Sequence, residues 1–267
     1  MSPIKRNLEE NIKNIMSTWP VRQLGGLPIT IADRDEIAKA FVEWALAARD
    51  RDARPFYSTS ANGQVMAMCA EDKDLLDDFL FADQIVADGM PMVIYSKLFG
   101  INQLPERVAT TDLFHDVAAI AAERGVSYFM FGADEVSNLI ATQKTRERYP
   151  DLKIVGRRNG YFSKDEEADI VAEINDVKPD VLWVSMGVPR EQRFIREHID
   201  SLKNVGVIKT SGGLFDFLSE RNRRAPNWMQ RFGFEWAFRA AQEPKRLGPR
   251  YLLTNPQALK LLFTRSQ

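Results

Sequence analysis

The chain has 267 residues, of which 45% are hydrophobic and 27% charged, a composition typical of a globular protein with one sizeable core. The single Cys69 excludes an internal disulfide framework and a multi-cysteine zinc site, and a total of two histidines argues against a histidine-rich metal site. No apolar run approaches the ~20 residues that span a bilayer, and Met1–Asn14 lacks the apolar core of a signal peptide.

The overall charge of −1 conceals a strong asymmetry. The segment from Arg221 to Arg265 holds ten Lys or Arg and two Glu, a net charge of +8, so the rest of the chain carries −9. A basic segment of this kind indicates an anionic partner, which is a lipid surface, a phosphorylated ligand or a nucleic acid.

The first half of the chain predicts short strands and helices. We expect an amphipathic helix over Pro3–Thr18, the strand "GGLPITIA" and a helix over Ile37–Ala48. The strands "PFYSTSA" and "DQIVADG" flank a helix from about Gly63 to Phe79, whose apolar run around the cysteine predicts a buried structural thiol. Helices over Met92–Phe99 and Leu113–Arg124 follow, joined by the loop "GINQLPERVATTD".

The second half alternates regularly. The strands "VSYFMFGA", "DLKIVGR", "DVLWVSM" and "VGVIKTS" are separated by helices over Glu135–Tyr149, Asp165–Val177 and Arg190–Ile199. Apolar strands alternating with helices predict an α/β fold with a doubly wound, mainly parallel, Rossmann-like sheet. Beyond Phe217 the pattern is helical only, so we expect an N-terminal helical extension (1–23), an α/β domain (24–220) and a helical, basic C-terminal appendage (221–267).

Two apolar runs, "VLWVSMGVP" and "VGVIKTSGGLFDF", each end in a glycine-containing loop ahead of a helix-like segment. Ligands bind at such loops at the carboxyl edge of a parallel sheet, and the N–H groups there favour an anion. The pattern predicts a phosphorylated ligand, first of all a nucleotide, although Gly212 and Gly213 are equally consistent with a simple tight turn. The chain has no G-x-G-x-x-G after the first strand and no Walker motif, which argues against a dinucleotide-dependent dehydrogenase and a P-loop NTPase.

Three polar residues lie where chemistry is expected. Asp88 follows a strand and is placed to act as a general base, or else forms an Asp-Gly turn. Asn62 caps a helix, which is the default, or binds a ligand hydroxyl. Arg107 in "LPERV" is solvated, pairs with Glu106, or neutralises phosphate charge.

The loop "SMGVPREQRF" brings four further polar or glycine positions to the start of a helix, where substrate contacts compete with helix-start chemistry: Gly187, Arg190, Glu191 and Gln192.

Further along, Trp228, Phe232 and Trp236 are four residues apart, which predicts one helical face, with Arg231 and Arg239 at other positions. Such a stripe is typical of an interfacial helix or of core packing. We expect a mixed role, with some aromatics packed and the arginines facing a membrane or a pyrophosphate.

Taken together, the segments "VADG", "LPERV", "FGA", "NGYF", "MGVPREQRFI", "GGLFDF", "RRAP" and "FEWAFRAAQEPKRL" resemble the WecG/TagA/CpsF family of bacterial glycosyltransferases (glycosyltransferase family 26). They occur in the family's order over roughly Leu24 to Leu253. The resemblance implies inverting transfer of a sugar from a UDP-sugar to a polyprenyl-diphosphate-linked saccharide on the cytoplasmic membrane face. It implies no metal ion and no cofactor.

The resemblance also implies roles for individual residues. Asp88 matches the proposed general base, Arg107 matches the arginine that stabilises the leaving diphosphate, and Ser60 and Asn62 match the threonine and asparagine of a "TPN" motif. The nucleotide or substrate pocket would be lined by Gly132, Gly187, Arg190, Glu191, Gln192, Gly212, Gly213 and Asp216. The acceptor diphosphate and the membrane would meet Arg221, Arg224 and Arg231 of the appendage.

One departure concerns the donor. Where the family usually has "P-K/R-Q-E-K-W", this chain has Glu191 at the glutamine position and Gln192 at the glutamate position. A carboxylate there would repel a sugar carboxylate or a phosphate unless the neighbouring glutamine takes over the contact.

We therefore expect a cytoplasmic, peripherally membrane-associated glycosyltransferase for surface or exopolysaccharide assembly, which contacts an anionic membrane surface. The sequence does not identify the sugar, the acceptor or the oligomeric state, so a homo-oligomer stays open. The alternative is a non-catalytic nucleotide-sugar-binding or assembly subunit. A nucleic-acid-binding role is the weaker third reading, because no recognised module is present, and we expect no nucleic-acid partner.

Overall fold

The computed structural model describes residues 19–49, 54–100 and 102–267. The helix expected over Pro3–Thr18 lies outside the described residues. The described strands are β1 (Val21–Leu24), β2 (Leu27–Thr30), β3 (Phe56–Ala61), β4 (Gln84–Ala87), β5 (Ser127–Gly132), β6 (Lys153–Arg158), β7 (Val181–Ser185) and β8 (Val207–Thr210).

The described residues form twelve α-helices, of which two neighbouring pairs are separated by a single residue. They are α1 (Arg34–Ala48), α2 (Gly63–Glu71), α3 (Lys73–Leu80), α4 (Met90–Leu98), α5 (Thr110–Arg124), α6 (Glu135–Arg148), α7 (Glu167–Val177), α8 (Arg190–His198), α9 (Leu214–Leu218), α10 (Asn227–Arg231), α11 (Glu235–Gln242) and α12 (Pro244–Thr264).

Six strands form one sheet in the order β4-β3-β8-β7-β5-β6. The pairs β3–β8, β8–β7, β7–β5 and β5–β6 are parallel, and Tyr128 of β5 lies opposite Val181 of β7. Helices flank the sheet, so the predicted α/β fold with a mainly parallel, Rossmann-like sheet is confirmed. The strands β5 and β7 are buried along their whole length, which explains why their sequences are apolar without alternation.

The chain divides into two compact units, each built from separate segments. The described part of the first unit consists of residues 34–49, 54–59 and 110–222, with Trp19. Its core is aromatic: the Trp183 ring lies 4.9 Å from Phe114 and 5.8 Å from Tyr128, centroid to centroid. All three side chains are fully buried, so the centre of the sheet is fixed by packed rings.

The second unit consists of Pro20–Asp33, Ser60–Ala109 and Arg223–Gln267. In it α12 packs against α2 and α4. A Cβ on Gly63 would lie 3.1 Å from the Cβ of Ala258, so two small residues let α2 and α12 approach closely. The extension, the α/β domain and the appendage expected from the sequence are consecutive in the chain, whereas each of these units combines separate segments. The expected boundaries stay a prediction.

Two local expectations need correction, and a third is confirmed. The "GGLPITIA" strand is the second arm of an antiparallel hairpin, β1–β2, which turns at Gly25 and Gly26 with φ of 60° and 91°. The single helix expected from about Gly63 to Phe79 is two helices, because Asp72 is extended and its side chain accepts the Leu75 N–H at 3.0 Å to start α3. The predicted buried thiol is confirmed: burial, with Asp72 and Asp78 nearby, raises the pKa of Cys69 to about 12.

The expected aromatic stripe does not lie on one helix. Gly233 adopts the left-handed φ of 77° and separates α10 from α11, so Trp228 and Trp236 belong to different helices and Phe232 lies in the turn. The exposed fractions are 59% for Trp228, 41% for Trp236 and 68% for Phe232. None of the helices in the described ranges combines the length and the apolar composition required to cross a membrane.

Candidate active site

In the second unit, three chain segments that hold predicted site residues lie side by side. The Asp88 N–H donates to the Ala61 carbonyl at 2.8 Å, and the Val108 N–H donates to the Ala87 carbonyl at 2.8 Å. These bonds put the end of β3, the end of β4 and the loop before α5 next to one another. The structure thereby brings Ser60, Asn62, Asp88 and Arg107 into one region of this unit.

Asn62 has the capping role that the sequence favoured. Its Oδ1 accepts the Val65 N–H at 3.1 Å at the start of α2. A Cβ added to Gly89 would lie 3.3 Å from the Asn62 Cα, so the glycine after Asp88 lets the two strand ends approach. The cap uses the side-chain oxygen, and contact of the amide nitrogen with a ligand hydroxyl stays a prediction.

Asp88 lies between β4 and α4 and is half-buried. It is the residue that immediately follows a fully buried strand, Gln84–Ala87. A carboxylate at this point can accept a proton from a hydroxyl group that lies within hydrogen-bond reach.

Arg107 is paired with a distant residue, Glu235, instead of its neighbour Glu106. Its Nη1 lies 2.7 Å from the Glu235 Oε2, and the two side chains are 12% and 17% exposed. The other oxygen, Oε1, accepts from Arg224 Nε at 3.1 Å. One carboxylate therefore holds two guanidinium groups, which are the side chains best suited to a diphosphate.

Sequence reasoning missed Glu235 as a site residue. A signal was present, because Glu235 is one of only two acidic residues in the basic segment from Arg221 to Arg265. Arg231, the last residue of α10, is exposed, and the structure does not add it to this carboxylate.

In the first unit, Glu191 occupies the space between the two glycine loops. Its Oε2 accepts the N–H groups of Met186 at 3.2 Å, Gly187 at 3.1 Å and Gly212 at 3.0 Å. Glu191 is only 2% exposed. These are backbone donors of the loops for which the sequence suggested a phosphate, and here an internal carboxylate receives them.

Burial raises the pKa of Glu191, although the N–H groups of Met186, Gly212 and Gly187 and the Gln192 amide oppose that shift. Gln192 is equally buried and donates from Nε2 to Glu191 Oε1 at 3.2 Å and to Thr59 Oγ1 at 3.4 Å. The exchanged Glu–Gln pair is thus part of the buried support of the loops.

The backbone conformation at residue 132 requires glycine. Its φ is 134°, and a Cβ there would lie 2.2 Å from the carbonyl oxygen of Ser185. The next residue, Ala133, donates its N–H to the same oxygen at 2.7 Å. Only glycine lets the ends of β5 and β7 meet in this way.

The remaining predicted residues of the first unit lie around the same loops. Arg190 is exposed and lies over the Phe162 ring at 4.7 Å from its centroid. Arg221 Nη1 lies 4.0 Å from Asp216 Oδ1 and hydrogen-bonds Asp134. Gly213 is exposed ahead of α9. Contact of these residues with a nucleotide stays a prediction.

Within the described ranges, one group of side chains has metal-ligand spacing. The ligand atoms of Glu167, Glu197 and His198 lie within 4.8 Å of one another. His198 Nε2 lies 2.6 Å from Glu167 Oε2, and the Lys164 ammonium pairs with both glutamates. Both carboxylates therefore already have partners in the protein, and the cluster carries no assignment.

Comparisons with known proteins show which family the chain resembles. Residues 22–267 match the profile of the family described as "Glycosyl transferase WecG/TagA/CpsF family". An N-acetylglucosaminyldiphosphoundecaprenol N-acetyl-beta-D-mannosaminyltransferase of Bacillus subtilis (strain 168) is 28% identical over 206 residues, 73% of this chain and 77% of the relative. The protein of the same name from Bacillus spizizenii is 30% identical over 165 residues, 62% of this chain and 63% of the relative.

A third relative of that name, from Staphylococcus aureus (strain MW2), is 26% identical over 192 residues, 72% of this chain and 74% of the relative. The family match extends from β1 through the end of α12 and includes all the predicted site residues. The chain therefore belongs to the WecG/TagA/CpsF family of glycosyltransferases.

Proposed function

We propose that the chain transfers a sugar from a UDP-sugar to a polyprenyl-diphosphate-linked saccharide, with inversion and without a metal ion, in the synthesis of a bacterial surface or exopolysaccharide. Family membership supports glycosyl transfer. The name shared by the relatives, N-acetylglucosaminyldiphosphoundecaprenol N-acetyl-beta-D-mannosaminyltransferase, supports a polyprenyl-diphosphate acceptor. The donor nucleotide rests on the resemblance of the sequence to the family.

The observation that carries the proposal is the pair of guanidiniums on Glu235. Arg107 and Arg224 both contact its carboxylate, so we assign Arg224 to the leaving diphosphate instead of the acceptor diphosphate that the resemblance implied. The backbone of Val108 is bonded to the strand end that precedes Asp88. A general base and cations for a leaving diphosphate are the two groups that glycosyl transfer needs.

The mechanism follows from these groups. Asp88 accepts the proton of the acceptor hydroxyl while its oxygen attacks the anomeric carbon of the donor sugar. The bond from that carbon to the diphosphate oxygen breaks, and UDP leaves with both electrons. Arg107 stabilises the charge that develops on the leaving diphosphate. A single displacement of this kind inverts the configuration at the anomeric carbon.

The nucleotide contacts are proposed for the loops of the first unit: Gly132, Gly187, Arg190, Gly212, Gly213 and Asp216. Because Glu191 already receives the N–H groups of Met186, Gly187 and Gly212, we assign these loops to the uncharged part of the nucleotide. An additional anion there would meet a carboxylate as well as the donors.

The membrane role is a separate part of the proposal. The segment from Arg221 to Arg265 carries +8, and Trp228 and Phe232 are exposed within it. Basic and aromatic side chains together favour the interface of an anionic bilayer. We propose peripheral association with the inner face of the plasma membrane.

A donor screen tests the function. The protein is incubated with each of several UDP-sugars and a polyprenyl-diphosphate-linked N-acetylglucosamine, with and without a chelator, and UDP release is measured. We expect acceptor-dependent release from at least one donor, unaffected by the chelator, and a product with the opposite anomeric configuration. Binding of UDP-sugars without release would instead indicate the non-catalytic subunit.

A further inference from the structure

Glu235 is an acidic residue whose side chain is largely buried between arginines. It is the first residue of α11, it is 17% exposed at the side chain, and each of its oxygens contacts a different arginine. Arg107 precedes Glu235 by 128 residues and Arg224 precedes it by 11. The carboxylate therefore links two segments of the second unit that are far apart in the sequence.

Arg224 is also held by a residue other than Glu235. Arg224 Nη2 hydrogen-bonds the Gln230 Oε1, and Gln230 Nε2 donates to the Ala225 carbonyl at 2.7 Å. Arg224 is thus held by α10 and by α11 together. Exposed ion pairs contribute little to stability because both side chains stay mobile, but this pair is largely buried and is part of a network.

Two guanidinium groups repel each other, and a carboxylate that contacts both removes most of that repulsion. Without it, the lowest-energy arrangement separates the two cations. A diphosphate has two charged phosphoryl groups and is bound best when two cations are already placed near each other. Glu235 supplies that placement before any ligand arrives.

We propose that Glu235 is a positioning residue that holds Arg107 and Arg224 as a pair for the leaving diphosphate. The inference rests on the proposed function, and it assigns a task to a residue that does not itself touch the reacting atoms. Glu235 acts by bringing the two arginines together, so its effect requires both of them.

A double-mutant cycle with Glu235→Gln and Arg107→Gln tests this dependence. We expect Glu235→Gln to lower kcat by about 10- to 100-fold, the range produced when a catalytic group is displaced by about 1 Å, and to leave the donor KM nearly unchanged. The double variant should be no slower than Arg107→Gln alone. Glu235→Asp, which keeps the charge, should recover part of the loss.

The matched control is Glu243→Gln. Glu243 lies in the same basic segment and pairs with Arg246 at an exposed position, Nε to Oε2 at 2.5 Å. Its substitution should leave kcat unchanged. Losses that add in the double variant, or an equal loss in Glu243→Gln, would overturn the proposed role of Glu235.

The inference can fail separately from the function. If the wild-type chain transfers no sugar, the proposed function fails, and the same cycle is then measured as binding of inorganic pyrophosphate by calorimetry. We expect Glu235→Gln to change the affinity when Arg107 is present and to have no effect in the Arg107→Gln background. The same change in both backgrounds contradicts the inference.

Discussion

The Glu191 Oε2 accepts the Gly212 N–H at 3.0 Å, and the same oxygen accepts the Gly187 N–H at 3.1 Å. One buried carboxylate therefore joins the loops that follow β7 and β8. Glycine loops at the carboxyl edge of a parallel sheet commonly offer such N–H groups to a ligand anion. In this chain the anion is a side chain of the protein.

The first prediction concerns the pH dependence of stability. Burial raises the pKa of Glu191, so the folded protein holds this proton more tightly than the unfolded chain does. The resulting stabilisation is fully present below the ordinary glutamate pKa of about 4.3 and is lost as the pH rises through the raised value. We expect the free energy of unfolding to fall more steeply over this window in the wild type than in Glu191→Gln. Urea denaturation at a series of pH values measures both slopes, and parallel curves would contradict the assignment.

The second prediction concerns Gly132. Its φ of 134° and the 2.2 Å approach of a Cβ to the Ser185 oxygen leave no room for alanine. Gly132→Ala should lower the free energy of unfolding by about 2 kcal/mol or more. Gly248→Ala is the control, because Gly248 lies inside α12 with nothing within 4 Å of its Cβ position. There alanine meets only the ring of Pro249, its neighbour in the chain, and should change the free energy of unfolding by about 1 kcal/mol or less. A similar loss in both variants would show that the contact with Ser185 is not responsible.

The third prediction concerns the membrane. Removing a basic residue near an anionic surface costs about 1 kcal/mol, which is about fivefold in binding. Arg231→Gln should weaken binding to vesicles that contain anionic lipid by that factor, and Trp228→Ala with Phe232→Ala should weaken it further. Val136→Ala, at an exposed apolar position of α6 in the first unit, should have no effect. Co-sedimentation measures the affinities. Unchanged binding of the Trp228 and Phe232 variant would contradict the proposed interface.

Sequence patterns predicted the fold well because the strands β5 and β7 are apolar throughout and helices separate them. The position of Asp88 was also accessible, since it follows a short apolar strand. The ion pair of Arg107 with Glu235 was not accessible, because the residues are 128 positions apart and no local period links them. The break at Gly233 was missed for a related reason: the spacing of three aromatics suggested a continuous helix, whereas the glycine adopts a left-handed conformation.

The central claim is transfer of a sugar with Asp88 as the base, and the mass of the lipid-linked product tests it most directly. With the donor found in the screen, the wild type should convert the acceptor into a product heavier by one sugar residue. Asp88→Asn should bind UDP as the wild type does, because the backbone bond from residue 88 to Ala61 is kept, and should form product about 100- to 10,000-fold more slowly. Product formation by Asp88→Asn at the wild-type rate, or no product with the wild type from any donor, would contradict the account.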